Sequence, residues 1–133
     1  MKFMLMMHAP RGTGGDWWVT KWAPKDIKTH MNHMIALYKE LEANGELVVA
    51  EGLAGPGEAR IVRADAKGAP VVTDGPYPEA KEFLAGYWVV DTPTLERAHA
   101  IAAKASSAPG PGGTPLNMAI EVRQVLAGPP PTE

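Results

Sequence analysis

Leu47-Val48-Val49-Ala50-Glu51-Gly52-Leu53 reads as a strand without a polar face. Successive side chains of a strand point to opposite sides of its sheet. Leu47, Val49 and Leu53 are therefore expected on one side, with Glu51 sharing it, and Val48 and Ala50 on the other. An antiparallel sheet with one wet face alternates apolar and polar residues. Here both sides are apolar, and the pattern recurs. Phe3, Leu5 and Met7 alternate with Met4 and Met6, and Tyr87 and Val89 alternate with Trp88 and Val90. A fold built from these strands has to cover two faces of one sheet.

Upstream, Pro24 suits the first turn of a helix and Asp26 adds favourable charge there. Ile27, Met31, Met34, Tyr38 and Leu41 recur at helical spacing, widened by Ile35 and Leu37, and Asn44-Gly45 is a stop signal. On this helix His30 falls on the flank of the apolar stripe beside Leu37 and Leu41, and His33 lies further round towards solvent. Downstream come a Gly55-Pro56-Gly57 turn, a strand from Ala59 to Ala64, a loop at Asp65-Ala66-Lys67-Gly68, and a short strand from Ala69 to Thr73. Another strand spans Ala85 to Asp91. Thr92 is the expected cap of a second helix with Pro93 at its first position. Leu95, Ala98, Ala102 and Ala105 form that helix's buried stripe, with Ile101 at the edge, and Asn117 to Val125 is the last strand.

Two helices, with a hairpin between them, in a split βαβ order are the ferredoxin-like plan, an α+β fold on an antiparallel sheet. Right-handed crossovers place both helices on the same face. The other apolar face then calls for a second sheet, most simply from another copy of the chain: a homodimer closing into an α+β barrel. Residues 1–126 are expected to form one domain, and 127–133 a Pro-rich tail.

At 133 residues and a net charge of −2, the chain gives no reason to expect nucleic acid as a partner. It has no cysteine, which excludes disulfides, thiol nucleophiles and Cys-ligated metals. The opening apolar run, Phe3 to Met7, is too short to cross a membrane or serve as a signal peptide, so the cytoplasm is the expected compartment. No cofactor motif is present: the glycines between Pro10 and Gly15 have neither phosphate-loop nor dinucleotide spacing. No metal is expected either, because a His30-x-x-His33 pair alone does not make a metal site. Trp17, Trp18 and Trp22 are expected to pack down as a lid.

Midway, the chain turns stiffly at Asp74-Gly75-Pro76-Tyr77-Pro78 and then presents Glu79, Lys81 and Glu82. Thr73 to Tyr77 with Glu79 and Lys81-Glu82 resembles the Asp-Gly-Pro-Phe motif of the DGPF group of YCII-related proteins. The likeness extends to Ala50-Glu51-Gly52-Leu53, Val62-Arg63 and Glu121-Val122-Arg123-Gln124-Val125, and covers roughly residues 1 to 126. Departures are Tyr77 for the usual Phe, Pro78 for a small residue and Ala80 for Thr. The resemblance implies a ferredoxin-like dimeric α+β barrel. It assigns no reaction to most DGPF-type members. Distant YCII-like members imply a His–Asp pair in a cleft, some relatives imply lactones or chlorinated ring-cleavage products, and DGPF-type members imply a neighbourhood of alternative sigma factors.

Two readings of function result. In one, the protein is a small enzyme working by acid–base chemistry on an organic acid or lactone. His30 would move the proton and Asp74 orient it, while Lys81 or Arg63 would hold a carboxylate. Glu51, buried or paired with Arg63, would join Tyr77, Glu79 and Trp88 around the ligand. In the other, it is a small-molecule-binding or regulatory module without catalysis. A cleft joining His30 to Asp74 favours the first; a pocket of Trp, Tyr and Met without an ionisable pair favours the second.

Overall fold

The computed structural model describes residues 1–10, 21–75 and 82–129. The chain runs β1 (Lys2–Pro10), α1 (Pro24–Ala43), β2 (Leu47–Gly52), β3 (Arg60–Ala64), β4 (Pro70–Asp74), β5 (Glu82–Asp91), α2 (Leu95–Ser106) and β6 (Ile120–Gln124). Four strands form an antiparallel sheet in the order β2-β5-β1-β6, the ferredoxin-like arrangement. β3 and β4 stand apart as a two-stranded hairpin sheet. Tyr77, Glu79 and Lys81 lie outside the described residues, as do Trp17 and Trp18 of the expected lid.

Both helices pack on one face. Phe3 and Leu5 of β1 and Trp88 and Val90 of β5 bury against Leu37 and Leu41 of α1 and Ala98, Ile101, Ala102 and Ala105 of α2. The alanines bring α2 close to the sheet, and Ile101, expected at the stripe's edge, is fully buried. Met4 and Met6 project the other way, opposite Val89 and Tyr87, and are only half-buried.

Several local expectations are corrected. β2 carries an irregularity at Val48: Leu47 pairs with Val90, yet Val49 pairs with Val89. The extra residue reverses the alternation. Leu47 thus joins the helix-covered face, while Val49 and Glu51 lie on the open one. β5 begins at Glu82, not Ala85, because pairing with β1 resumes beyond a second irregularity, where Met7 faces Gly86 but His8 faces Leu84. β6 begins at Ile120, since Asn117 adopts φ +50°, outside strand geometry. Thr94, not Thr92, caps α2, its Oγ1 accepting from the Arg97 N–H at 3.1 Å. Thr92 is buried and donates its hydroxyl to the Thr94 carbonyl at 2.8 Å.

On α1 the buried arc is His30, Leu37 and Leu41, while Met31, Ile35 and Tyr38 are 43, 47 and 43% exposed. The helix is apolar over a wider arc than the sheet can cover, and the arc that carries His30 faces inward.

A polar cluster locks the helices to the start of β2. Arg97 of α2 donates through Nε and Nη2, each at 2.8 Å, to the two oxygens of buried Glu46, and through Nη2 to Glu40 of α1 at 3.3 Å. Lys104 donates to Glu40 at 2.7 Å. The forked bond from Arg97 holds the Glu46 carboxyl below its ordinary range, against the opposing effect of burial. A depressed folded-state pKa adds stability above the unfolded value, about 4.3, and that stability is lost as pH falls through the folded value. Glu46→Gln should therefore cost about 1–3 kcal/mol at pH 7 and flatten the loss of stability below pH about 4. Urea unfolding at pH 7, 4.5 and 3 checks both, and parallel acid limbs for the two proteins would exclude Glu46 as the source.

Candidate functional site

The helix-covered face carries a gap at one end. Met7, Gly86 and Gly52 form one row across β1, β5 and β2. Two of the three have no side chain. At Gly86 the reason is crowding: a Cβ there would come within 2.9 Å of the Glu51 carbonyl oxygen, beside the second irregularity. At Gly52 a Cβ would meet nothing within 4 Å.

α1 passes over this row with Met31, Met34, Ile35 and Tyr38. Between helix and sheet lies a cavity of about 300 Å³, completed by Met7, Ala50 and Trp88. Strand alternation sends the side chains of Glu51 and Tyr87 to the open face, so they border the cavity with their main chain. β2 is an edge strand and Gly52 is exposed, so the cavity opens over β2 beside the exposed Met31, Ile35 and Tyr38.

His30 lies on another side of α1. It is buried, its Nδ1 donates to the Pro109 carbonyl at 3.0 Å, and its ring meets Trp22 edge-on at 5.2 Å. A carbonyl only accepts, so Nδ1 carries the hydrogen. His33, read as a solvent-side residue, is half-buried and donates through Nε2 to the Lys104 carbonyl at 2.8 Å. That carbonyl belongs to the last turn of α2, where helical partners run out. The His-x-x-His spacing thus places two ring donors on the end of α2 and the segment after it. Among the described residues, no cluster of His, Asp and Glu has the make-up of a metal site.

The other sequence-derived candidates are dispersed. Asp74 ends β4 with its side chain 97% exposed, and its recorded partner is Arg60 of β3, at 3.8 Å. Arg63 is exposed on β3 opposite Val71, on a different sheet from Glu51, which is exposed on β2 opposite Tyr87. Trp88 is buried in the core and borders the cavity. Of the described candidates, the cavity brings together only Trp88 and the main chain of Glu51. The sequence reading missed the glycine pair and took Met31 and Tyr38 for core, whereas both are exposed; Met34 does pack against the core while bordering the cavity. The available signal was a glycine inside each of two strands, which marks a bulge or a close approach of backbone or ligand.

A four-stranded antiparallel sheet, two helices on one face and an apolar cavity under one helix define a small ferredoxin-like α+β protein. The sequence model of the YCII-related domain matches residues 1–111, and the chain belongs to that family. No curated protein matches it. Among the described residues, no helix is long and apolar enough to cross a membrane.

The position of His30 yields a stability prediction. His30→Ala should cost about 1–3 kcal/mol, because it leaves a carbonyl without its donor and empties a packed site beside Trp22. Urea unfolding at pH 7 measures it. A change below a few tenths of a kcal/mol would show that the Pro109 bond contributes nothing net.

Proposed function

We propose that the chain is a small-molecule-binding module that acts as a homodimer. The observation that carries the binding reading is the cavity of about 300 Å³ lined by Met7, Met31, Met34, Tyr38 and Trp88, with no His–Asp pair among the described residues that border it. Apolar concave sites with few polar groups are where proteins bind small molecules. Acid–base chemistry on an organic acid or lactone would instead use His30 with Asp74. His30 is engaged by Pro109 and Trp22, and Asp74 is solvated beside Arg60.

The homodimer reading is supported by the open face of the sheet. Met4, Met6, Val49, Tyr87 and Val89 form its centre, bordered by Glu51 on one side and by Arg123 and the 3.2 Å His8–Glu121 pair on the other. An apolar centre with a charged rim is the anatomy of a protein interface. Laid against the same face of a second copy, it closes an α+β barrel.

Sedimentation equilibrium at micromolar concentration should return a dimer. Met6→Asp, at the centre of the face, should weaken association about 30-fold or more, as for truncation of a central contact. A wild-type monomer at these concentrations would remove the barrel.

For the cavity, a mixed library of neutral, acidic and basic fragments should shift amide signals of residues 31–38, 50–52 and 86–88 in two-dimensional NMR. A fragment at 100 times its dissociation constant should raise unfolding free energy by about 2.7 kcal/mol. A library that leaves all three segments unmoved would end the binding reading.

A further inference from the structure

Of the two glycines in this row, Gly52 is the one that the fold itself does not demand. Its φ is not in the left-handed region, and an added Cβ would meet nothing within 4 Å, whereas at Gly86 the Glu51 carbonyl stands in the way. A glycine inside a strand weakens it, through entropy and missing packing. What the absent side chain leaves at Gly52 is the mouth and floor of the cavity under α1. We infer that this floor is a slot for a small uncharged ring compound, an aromatic or alicyclic ring with at most a short neutral substituent. The inference rests on the binding reading above and names its ligand class.

Shape argues for a ring. The floor is the paired backbone of β2 and β5 at Gly52 and Gly86, a surface two side chains flatter than the rest of the sheet. Its walls are the thioethers of Met7, Met31 and Met34 and the rings of Tyr38 and Trp88. Methionine sulfur sits favourably at the edge of an aromatic ring, its unbranched chain adapts to the ring's outline, and aromatic walls accept a ring edge-on. Volume argues for a small one. About 300 Å³ is the bottom of the range for ligand pockets, roughly 300–1,000 Å³.

Charge argues for a neutral one. Among the described residues that border the cavity Glu51 is the charged one, and register directs its carboxylate to the opposite face of the sheet. A carboxylate or ammonium entering would lose water without gaining an ionic partner, a cost that drives charges out of apolar sites. Tyr38, exposed where the cavity opens, carries a hydroxyl that can donate to or accept from a neutral substituent.

The test uses the full chain and a matched series: benzyl alcohol, benzoate and benzylamine, titrated by calorimetry and by two-dimensional NMR. Benzyl alcohol should bind at the cavity about tenfold or more tightly than either charged analogue. Gly52→Leu, which grows a side chain into the opening, should abolish that binding with unfolding temperature kept or raised. Gly52→Ala should weaken it partially, and keeps the test readable if the leucine variant folds poorly. Benzoate or benzylamine binding as tightly as benzyl alcohol would overturn the ligand class while leaving the module a binder. Unchanged affinity in both Gly52 variants would overturn the site. Failure of every fragment in the broader library would overturn the binding reading itself.

Discussion

Everything in this fold follows from a shortage of cover. The sheet is apolar on both faces, and the described residues supply two α-helices, which pack together on one of them. On that side Leu5, Val90, Leu41 and Ile101 are sealed from water. At about 25 cal/mol per Å² of apolar surface removed from water, this burial is the main favourable term of folding. The other side holds Met4, Met6, Tyr87 and Val89 half-buried, beyond the reach of the helices. Single apolar surface residues need no explanation, but a contiguous patch rimmed by charge does.

The cover is also imperfect on the helix side, in a patterned way. α1 turns His30, Leu37 and Leu41 inward, and the rest of its apolar arc hangs over the edge strand β2. Beneath that overhang the row Met7–Gly86–Gly52 supplies one side chain where three could stand. A wide apolar helix over a row of glycines makes a cavity. One without the other would make either a filled core or a bare edge.

The architecture was legible from the sequence because its signals are periodic. Alternation in β1 and β5 and helical spacing in α1 and α2 fixed element type, and the split order fixed the ferredoxin-like topology. What failed to read was phase. One extra residue at Val48 moved Leu47 and Val49 to opposite faces, and nothing in a run of valines announces a bulge. On α1 an apolar arc wider than its contact leaves the inward direction undetermined, so Met31 and Tyr38 were read as core and His33 as surface. The histidine pair shows the same limit. Spacing placed His30 and His33 on neighbouring turns, but their partners are main-chain carbonyls of Pro109 and Lys104, about seventy to eighty residues away in sequence. Backbone acceptors carry no residue signature, so no motif search finds them.

β5 is where the two surfaces of interest meet. Trp88 points to the cavity side, and its neighbours Tyr87 and Val89 point to the open face. Gly86, one residue earlier, floors the cavity and abuts the Glu51 carbonyl, while Glu51 borders the open face. A molecule resting on Gly86 and a second subunit resting on Tyr87 would therefore press on adjacent residues of one central strand. Packed interiors transmit strain of that kind, because they are dense and resist compression. The two surfaces remain separate in chemistry, one a small, mostly apolar slot and the other a broad rimmed face. Only the backbone of a single strand lies between them.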